Sequence, residues 1–166
     1  GNVYTGFLYA GLMIDTAGNP KVIEFNCRFG DPETQPIMLR MQSDLVELCL
    51  AACAGELDRK QAVYDPRAAV GIVLAAGNYP GEPRKGDVIH GLDTPAPADS
   101  KLFQAGTRQQ GNDVVTAGGR VLCATALGHT VREAQQQAYA LAHQISWEGL
   151  FYRTDIGYRA IAREEA

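Results

Sequence analysis

The chain has 166 residues, a net charge of −4 at pH 7 and four cysteines. Hydrophobic residues make up 46% and charged residues 20% of it, the proportions of an ordinary soluble globular protein. No basic stripe is present, so we expect no nucleic-acid partner. No apolar run approaches the ~20 residues of a membrane-spanning helix, so we expect no membrane partner. The cysteines form no CxxC pair, which favours a reducing cytoplasm.

Two segments near the start of the chain predict a β-hairpin. Residues 7–14 form a continuous apolar run, consistent with a buried strand, and residues 21–26 follow after a turn. Because side chains alternate along a strand, Glu24 and Asn26 face the same way, with Cα atoms roughly 7 Å apart. Two oxygen donors at this spacing suit Mg²⁺, which leaves its other positions to water and phosphate. The same spacing is also typical of the solvated face of an amphipathic strand.

A polar loop is expected directly after this strand, over residues 28–35. Arg28 opens it and can present a planar fork to a phosphate or a carboxylate if the strand geometry persists. Asp31 and Glu33 lie in the same loop. We expect them to order it by hydrogen bonds or pairing with arginine rather than to take part directly in chemistry.

The remaining pattern predicts helices and antiparallel strands. A helix over residues 44–54 has Ser43 as its expected N-cap, and Thr130 opens a second helix, to about residue 145, with a capping box. Two shorter helices are expected over residues 36–41 and at the end of the chain. The expected strands cover residues 68–76, 87–92, 101–105, 113–116 and 120–127. The segments 101–105 and 113–116 are predicted to pair around a Gly-Asn turn.

These elements predict an α+β fold with an antiparallel sheet. A mostly polar stretch before residue 68 suggests a boundary between two regions, residues 1–60 and 61–166.

The segment from Glu24 to Gln35, Glu-Phe-Asn-Cys-Arg-Phe-Gly-Asp-Pro-Glu-Thr-Gln, resembles the signature of the phosphoribosylamine–glycine ligase family. The wider Glu-x-Asn pattern after a hairpin is similar to the ATP-grasp superfamily, in which Glu and Asn hold the magnesium of ATP. The resemblance implies that Glu24 and Asn26 are metal ligands and that Arg28 is a catalytic residue. Many ATP-grasp enzymes place another acidic ligand on the first hairpin strand, at a register that falls near Gly11. The rest of the metal shell is therefore left unassigned.

The second half of the chain resembles the C-terminal domain of the same family. The segments that carry this resemblance are Ala76–Gly81, Gly86–Leu92, Ala105–Thr107, Gly118–Leu122 and Asp155–Ile161. Family members often have His before Ala-Gly-Thr, whereas this chain has Gln104. The resemblance implies the end of an ATP-grasp lobe, residues 1–60, followed by a small C-terminal α+β domain, residues 61–166.

The run Gly118-Gly119-Arg120 has two interpretations. It can bring backbone N–H groups and one cation to a phosphate. It is equally the hairpin turn that the flanking strands require.

The resemblance implies an ATP-dependent ligase of purine biosynthesis that joins glycine to 5-phosphoribosylamine, with Mg²⁺ or Mn²⁺ as the cofactor. ATP would phosphorylate the glycine carboxylate, and the amine would then attack the acyl phosphate. The expected partners are ATP, glycine, 5-phosphoribosylamine and a missing N-terminal part of the same enzyme. Because the family signature lies close to the start of the chain, we expect a fragment that is inactive alone.

Two alternatives stay open at this stage. One is another ATP-grasp carboxylate–amine ligase, such as a biotin carboxylase-like or other purine-pathway enzyme, which substrate-dependent ADP release would distinguish. The other is a non-catalytic binding module, which absence of thermal stabilisation by nucleotide would favour.

Overall fold

The computed structural model describes residues 1–166 and divides into two compact units. Unit 1 comprises residues 1–34 and 41–65, and unit 2 comprises residues 35–40 and 66–166. None of the helices has the length and apolar character needed to span a membrane. The elements in chain order are β1 (Tyr9–Ile14), β2 (Pro20–Asn26), α1 (Thr34–Arg40), α2 (Leu45–Ala54), β3 (Ala68–Ala75), β4 (Ser100–Gln104), β5 (Thr107–Gln110), β6 (Asp113–Thr116), β7 (Arg120–Gly128), α3 (Val131–Ala142) and α4 (Tyr158–Glu164).

Unit 1 contains the predicted hairpin, with β1 and β2 paired antiparallel. Gly11 pairs with Glu24 and Leu12 with Val22, so Ile23 is left as the extra residue of a β-bulge. The apolar run in β1 is largely exposed rather than buried, because the only strand packed beside β1 is β2. The expectation of a buried strand is therefore wrong for this structure.

Helix α2 of unit 1 has caps at both ends. The Asp44 carboxylate accepts a hydrogen bond from the Val46 N–H at 2.7 Å, so Asp44 is the N-cap rather than Ser43. The Ser43 hydroxyl instead accepts from the Val63 N–H at 2.8 Å, across 20 residues of sequence. Gly55 ends the helix in the left-handed region, at φ 71°.

Unit 2 is built on a three-stranded antiparallel sheet in the order β3-β7-β4, against which α3 packs. The central strand β7 is buried along nearly its whole length, and its partners across the core include Ile72, Leu74 and Leu141. Thr130 caps α3 by accepting from the Glu133 N–H at 3.1 Å. The Glu133 carboxylate reaches back to the His129 N–H at 2.7 Å, one residue before the N-cap.

Strand pairing in unit 2 differs from the prediction in two places. The partner of β6 is β5, residues 107–110, whereas the predicted segment 101–105 lies in β4 and pairs with β7. The chain turns between them at Gly106, where a Cβ would overlap the backbone of Gly118. Residues 87–92 form only isolated bridges rather than a strand. The α+β class with antiparallel sheets is confirmed.

Candidate functional site

The first and third residue pairs of the hairpin place Glu24 and Asn26 on one face. Tyr9 lies opposite Asn26, and Gly11 lies opposite Glu24. Residues directly opposite in an antiparallel pair share a face, as do residues two apart on one strand. We call the face formed by Tyr9, Gly11, Glu24 and Asn26 the polar face of the hairpin. The structure therefore brings Glu24 and Asn26 together, as the strand spacing predicts.

Gly11 leaves room beside the Glu24 side chain. A Cβ at position 11 would lie 3.1 Å from Glu24 Cγ, tighter than an ordinary contact. No hydrogen bond or ion pair holds the exposed Glu24 carboxylate. Its oxygens are therefore available to an incoming group.

Arg28 lies beyond the end of β2, where the regular strand geometry has stopped. Its guanidinium folds back, with Nη1 donating to the Phe29 carbonyl at 2.7 Å. Nη2 donates to Asn26 Oδ1 at 3.5 Å, a long hydrogen bond that is readily exchanged for a better acceptor. Arg28 thus reaches the polar face through the loop rather than by continuing the strand.

The site also contains a contact between Tyr9 and Glu33 that the sequence analysis does not predict. The Tyr9 hydroxyl donates to Glu33 Oε1 at 3.1 Å, between residues 24 apart in sequence. The hydrogen bond to Glu33 and its negative charge raise the pKa of Tyr9 above its ordinary value, and Glu24 contributes in the same direction. The only sequence feature that could have indicated Tyr9 is its place two residues before Gly11, on the strand opposite Glu24 and Asn26.

The oxygen donors of the polar face fit a divalent cation of the magnesium type. Glu24 supplies a carboxylate and Asn26 an amide oxygen, both hard ligands. No group of three or more His, Cys, Asp or Glu side chains is placed to hold a metal. Two protein donors suit Mg²⁺, which commonly keeps water and phosphate as its other ligands.

The run Gly118-Gly119-Arg120 in unit 2 is held by packing. A Cβ at Gly119 would overlap the ring of Tyr79, and the Tyr79 hydroxyl accepts from Arg120 Nε at 3.0 Å. The Gly119 carbonyl accepts from the Ala76 N–H at 2.9 Å. These contacts account for Gly119 and Arg120 through packing and hydrogen bonding within unit 2.

Two family models match the chain. Residues 69–159 match the model described as phosphoribosylglycinamide synthetase, C domain. The chain belongs to the phosphoribosylglycinamide synthetase family. Residues 1–34, which contain the hairpin and the loop with Arg28, match the family's ATP-grasp (A) domain model. The resemblance seen in the signature of β2 and its loop is confirmed.

Full-length relatives in this family carry the name phosphoribosylamine–glycine ligase. The chain is 70% identical over 166 residues to the protein of Vibrio cholerae, covering 100% of this chain and 39% of the relative. It is 69% identical to the protein of Escherichia coli O6:H1, over 99% of this chain and 39% of the relative. The chain thus spans about two fifths of the length of these synthetase-family relatives.

Solved structures resemble the fold. The phosphoribosylamine–glycine ligase of Thermotoga maritima aligns with a TM-score of 0.75 at 38% identity, over 89% of this chain and 36% of that chain. The biotin carboxylase domain of Hydrogenobacter thermophilus 2-oxoglutarate carboxylase aligns with a TM-score of 0.62 at 15% identity, over 86% of this chain and 32% of that chain. The second likeness shows the fold alone.

Proposed function

We propose that this chain is part of an ATP-dependent ligase that joins glycine to 5-phosphoribosylamine in purine biosynthesis, with release of ADP and phosphate. The observation that carries the proposal is the polar face of the hairpin. It places Glu24 and Asn26 side by side in the segment that matches an ATP-grasp domain model. The name of the 70%-identical relative from Vibrio cholerae supports the same reaction.

The proposed roles follow from the chemistry of each side chain. Glu24 and Asn26 hold a divalent cation, Mg²⁺ or Mn²⁺, through one carboxylate and one amide oxygen. When bound, the metal would neutralise charge on the phosphate oxygens of ATP. Phosphoryl transfer requires positioning and charge neutralisation more than covalent help from the protein. The oxygen donors of Glu24 and Asn26, together with the guanidinium of Arg28, would therefore be sufficient protein groups on this face.

Arg28 is the proposed catalytic residue of the chain. Its Nη2 bond to Asn26 is long, and an anion bound beside Asn26 would offer a charge-assisted partner in its place. Turning the guanidinium toward a phosphate or a substrate carboxylate would align that anion with the oxygens of the polar face. The γ-phosphoryl group of ATP would pass to the glycine carboxylate. The amine of phosphoribosylamine would then form the amide bond and expel phosphate.

The remaining parts of the ATP site are proposed to come from the portion of the relatives' length that this chain does not cover. Residues 1–60 would form the end of the ATP-grasp lobe, and residues 61–166 the C-terminal domain of the ligase. The chain by itself is therefore expected to lack ligase activity.

The experiment that tests the proposal measures ADP release by the full-length enzyme containing this chain. We expect release only when ATP, glycine and 5-phosphoribosylamine are all present, together with a divalent cation. The 166-residue chain alone is the control and is expected to release none. Release by the full-length enzyme that does not depend on glycine or on phosphoribosylamine would contradict the proposal.

A further inference from the structure

The loop that carries Arg28 leaves the hairpin at Asn26 and returns to it at Glu33. It starts where β2 ends, and its far end is attached to β1 by the hydrogen bond from Tyr9 to Glu33, 3.1 Å long. Both attachment points lie on the polar face, since Tyr9 pairs directly with Asn26. The two ends of the loop are thus attached to neighbouring strands, at two residues that lie directly opposite each other.

Gly30 makes this closure possible. It is buried, and a Cβ at this position would lie 2.8 Å from Tyr9 Cε2 and would overlap the Glu33 carboxylate. The Gly30 carbonyl accepts from the Thr34 N–H at 3.1 Å and from the Thr34 hydroxyl at 2.5 Å. The ring of Tyr9 therefore packs against a turn that is stabilised by the hydrogen bonds between Thr34 and Gly30. The Glu33 carboxylate packs against Gly30 beside the ring.

The hydrogen bond between Tyr9 and Glu33 has a fixed direction. The phenol of Tyr9 is the donor, and the Glu33 carboxylate is the acceptor.

We propose that Tyr9 and Glu33 are positioning residues that hold the Arg28 loop on the polar face of the hairpin. Neither touches the reacting atoms; Tyr9 acts through Glu33, and Glu33 acts through the turn at Gly30. Arg28 needs such support because its own contacts are to its neighbour Phe29 and, over 3.5 Å, to Asn26. A guanidinium on an unsupported loop would lose the alignment that phosphoryl transfer requires. This inference rests on the proposed function.

The test is a set of variants in the full-length enzyme: Tyr9→Phe, Glu33→Ala, Glu33→Gln and the double variant Tyr9→Phe/Glu33→Ala. Tyr9→Phe and Glu33→Ala should each lower kcat/KM for the anion held by Arg28 by roughly threefold to tenfold, the effect of one lost hydrogen bond. The double variant should be no worse than Glu33→Ala, because both changes remove the same contact. Glu33→Gln should restore most of the activity, since its amide oxygen still accepts from Tyr9.

Two further readouts separate positioning from other roles. The Mg²⁺ concentration for half-maximal rate should stay unchanged in all four variants, whereas a metal-ligand role for Glu33 would raise it. Amide hydrogen exchange over residues 28–34 should be faster in Tyr9→Phe than in the wild type. Tyr158→Phe, which removes a hydroxyl in unit 2 that accepts only from Arg159, is the matched control and should match the wild type.

The outcomes that overturn the inference are specific. Tyr9→Phe with the kinetics and the amide hydrogen exchange of the wild type would overturn it. Additive losses of kcat/KM in the double variant would also overturn it, as would equal losses of kcat/KM in Glu33→Gln and Glu33→Ala. Failure of the proposed function would give a different result, because the wild-type enzyme itself would then show no glycine-dependent ADP release. Hydrogen exchange would then still decide whether Tyr9 holds the loop.

Discussion

At the scale of single residues, two glycines shape the candidate site as much as its charged groups do. Gly11 leaves space beside the Glu24 side chain, and Gly30 leaves space for the Tyr9 ring and the Glu33 carboxylate. Any side chain at position 30 would displace the Tyr9 ring or the Glu33 carboxylate. The polar face thus depends on positions that carry no functional group.

The geometry of Arg28 gives the first prediction. Arg28→Lys in the full-length enzyme should raise KM for the anionic substrate that it holds by about tenfold, because lysine keeps the charge but loses the planar fork. The measurement is KM for ATP and for glycine separately, which also identifies the anion. Arg108→Lys in β5, an exposed arginine that donates to Gln110, is the control. Unchanged KM values for both substrates would show that Arg28 binds neither of them.

Much of the site at this scale could be predicted from local sequence. The shared face of Glu24 and Asn26 follows from strand alternation, which depends only on residues two apart. The Tyr9–Glu33 contact could not be predicted, because it joins positions 24 residues apart through a loop whose path is irregular. The folded-back position of Arg28 is not predictable from strand alternation either, because strand geometry ends at Asn26.

At the scale of elements, the hairpin depends on its turn. Asp15 Oδ1 accepts from the N–H groups of Ala17 and Asn19, both at 2.9 Å. These bonds occupy backbone donors that the tight turn leaves without strand partners. The turn therefore sets the register of the pairs nearest to it, up to Leu12 with Val22, and the bulge at Ile23 then places Glu24 opposite Gly11.

This turn predicts a pH dependence. Hydrogen bonds from Asn19, followed by those from Ala17, lower the pKa of Asp15 below its ordinary value. The ionised carboxylate thus stabilises the folded hairpin above the unfolded pKa of about 3.9. That stabilisation is lost as the pH falls through the lower pKa of the folded form. The amide chemical shifts of Ala17 and Asn19 should titrate with a midpoint below 3.9.

The control for this titration is Asp15→Asn, which keeps an acceptor oxygen but cannot ionise. Its turn amides should show no acid transition in the same window. A wild-type midpoint at or above the ordinary aspartate pKa would contradict the prediction.

The elements that were predicted incorrectly share a physical cause. The sequence predicts Ser43 as the N-cap of α2, yet the Ser43 hydroxyl accepts from the Val63 N–H, 20 residues away. The sequence predicts residues 101–105 as the partner of β6, yet the chain turns at Gly106, where the backbone of Gly118 packs closely, and β6 pairs with residues 107–110. In both cases a non-local contact overrides a local preference. Helix α3 and the central strand β7 are predictable because the capping box of α3 and the apolar run of β7 are local features.

At the scale of the whole molecule, the chain contains two units that differ in their cores. Unit 2 has a contiguous buried cluster around β7 and α3, which includes Ile72, Leu122 and Trp147. In unit 1 the hairpin side chains are largely exposed, with Ile23 at 63% and Phe25 at 60%. The polar face of the hairpin lies in unit 1, so the better-packed unit is not the one that carries the proposed metal ligands.

Trp147 reports on unit 2 because it is the single tryptophan of the chain and is 7% exposed. Ile72→Ala should lower the free energy of unfolding of unit 2 by about 2–5 kcal/mol, since it removes buried methyl groups and leaves a cavity. The measurement is the urea midpoint of Trp147 fluorescence. Val46→Ala, an aliphatic truncation at a 65% exposed position of unit 1, should leave that midpoint unchanged. Equal shifts in the two variants would contradict the assignment of separate cores.

Glu24 and Asn26 are the proposed ligands of the divalent cation of an ATP-dependent ligase. The most direct test compares the Mg²⁺ dependence of glycine-dependent ADP release in the full-length enzyme with and without Glu24→Gln. The control is Glu47→Gln, a change at an exposed carboxylate on α2. We expect Glu24→Gln to lower turnover at least about tenfold, or about 1.4 kcal/mol of barrier, and to require more Mg²⁺ for its half-maximal rate. A Mg²⁺ curve that superimposes on the wild type in both height and midpoint would contradict the metal role.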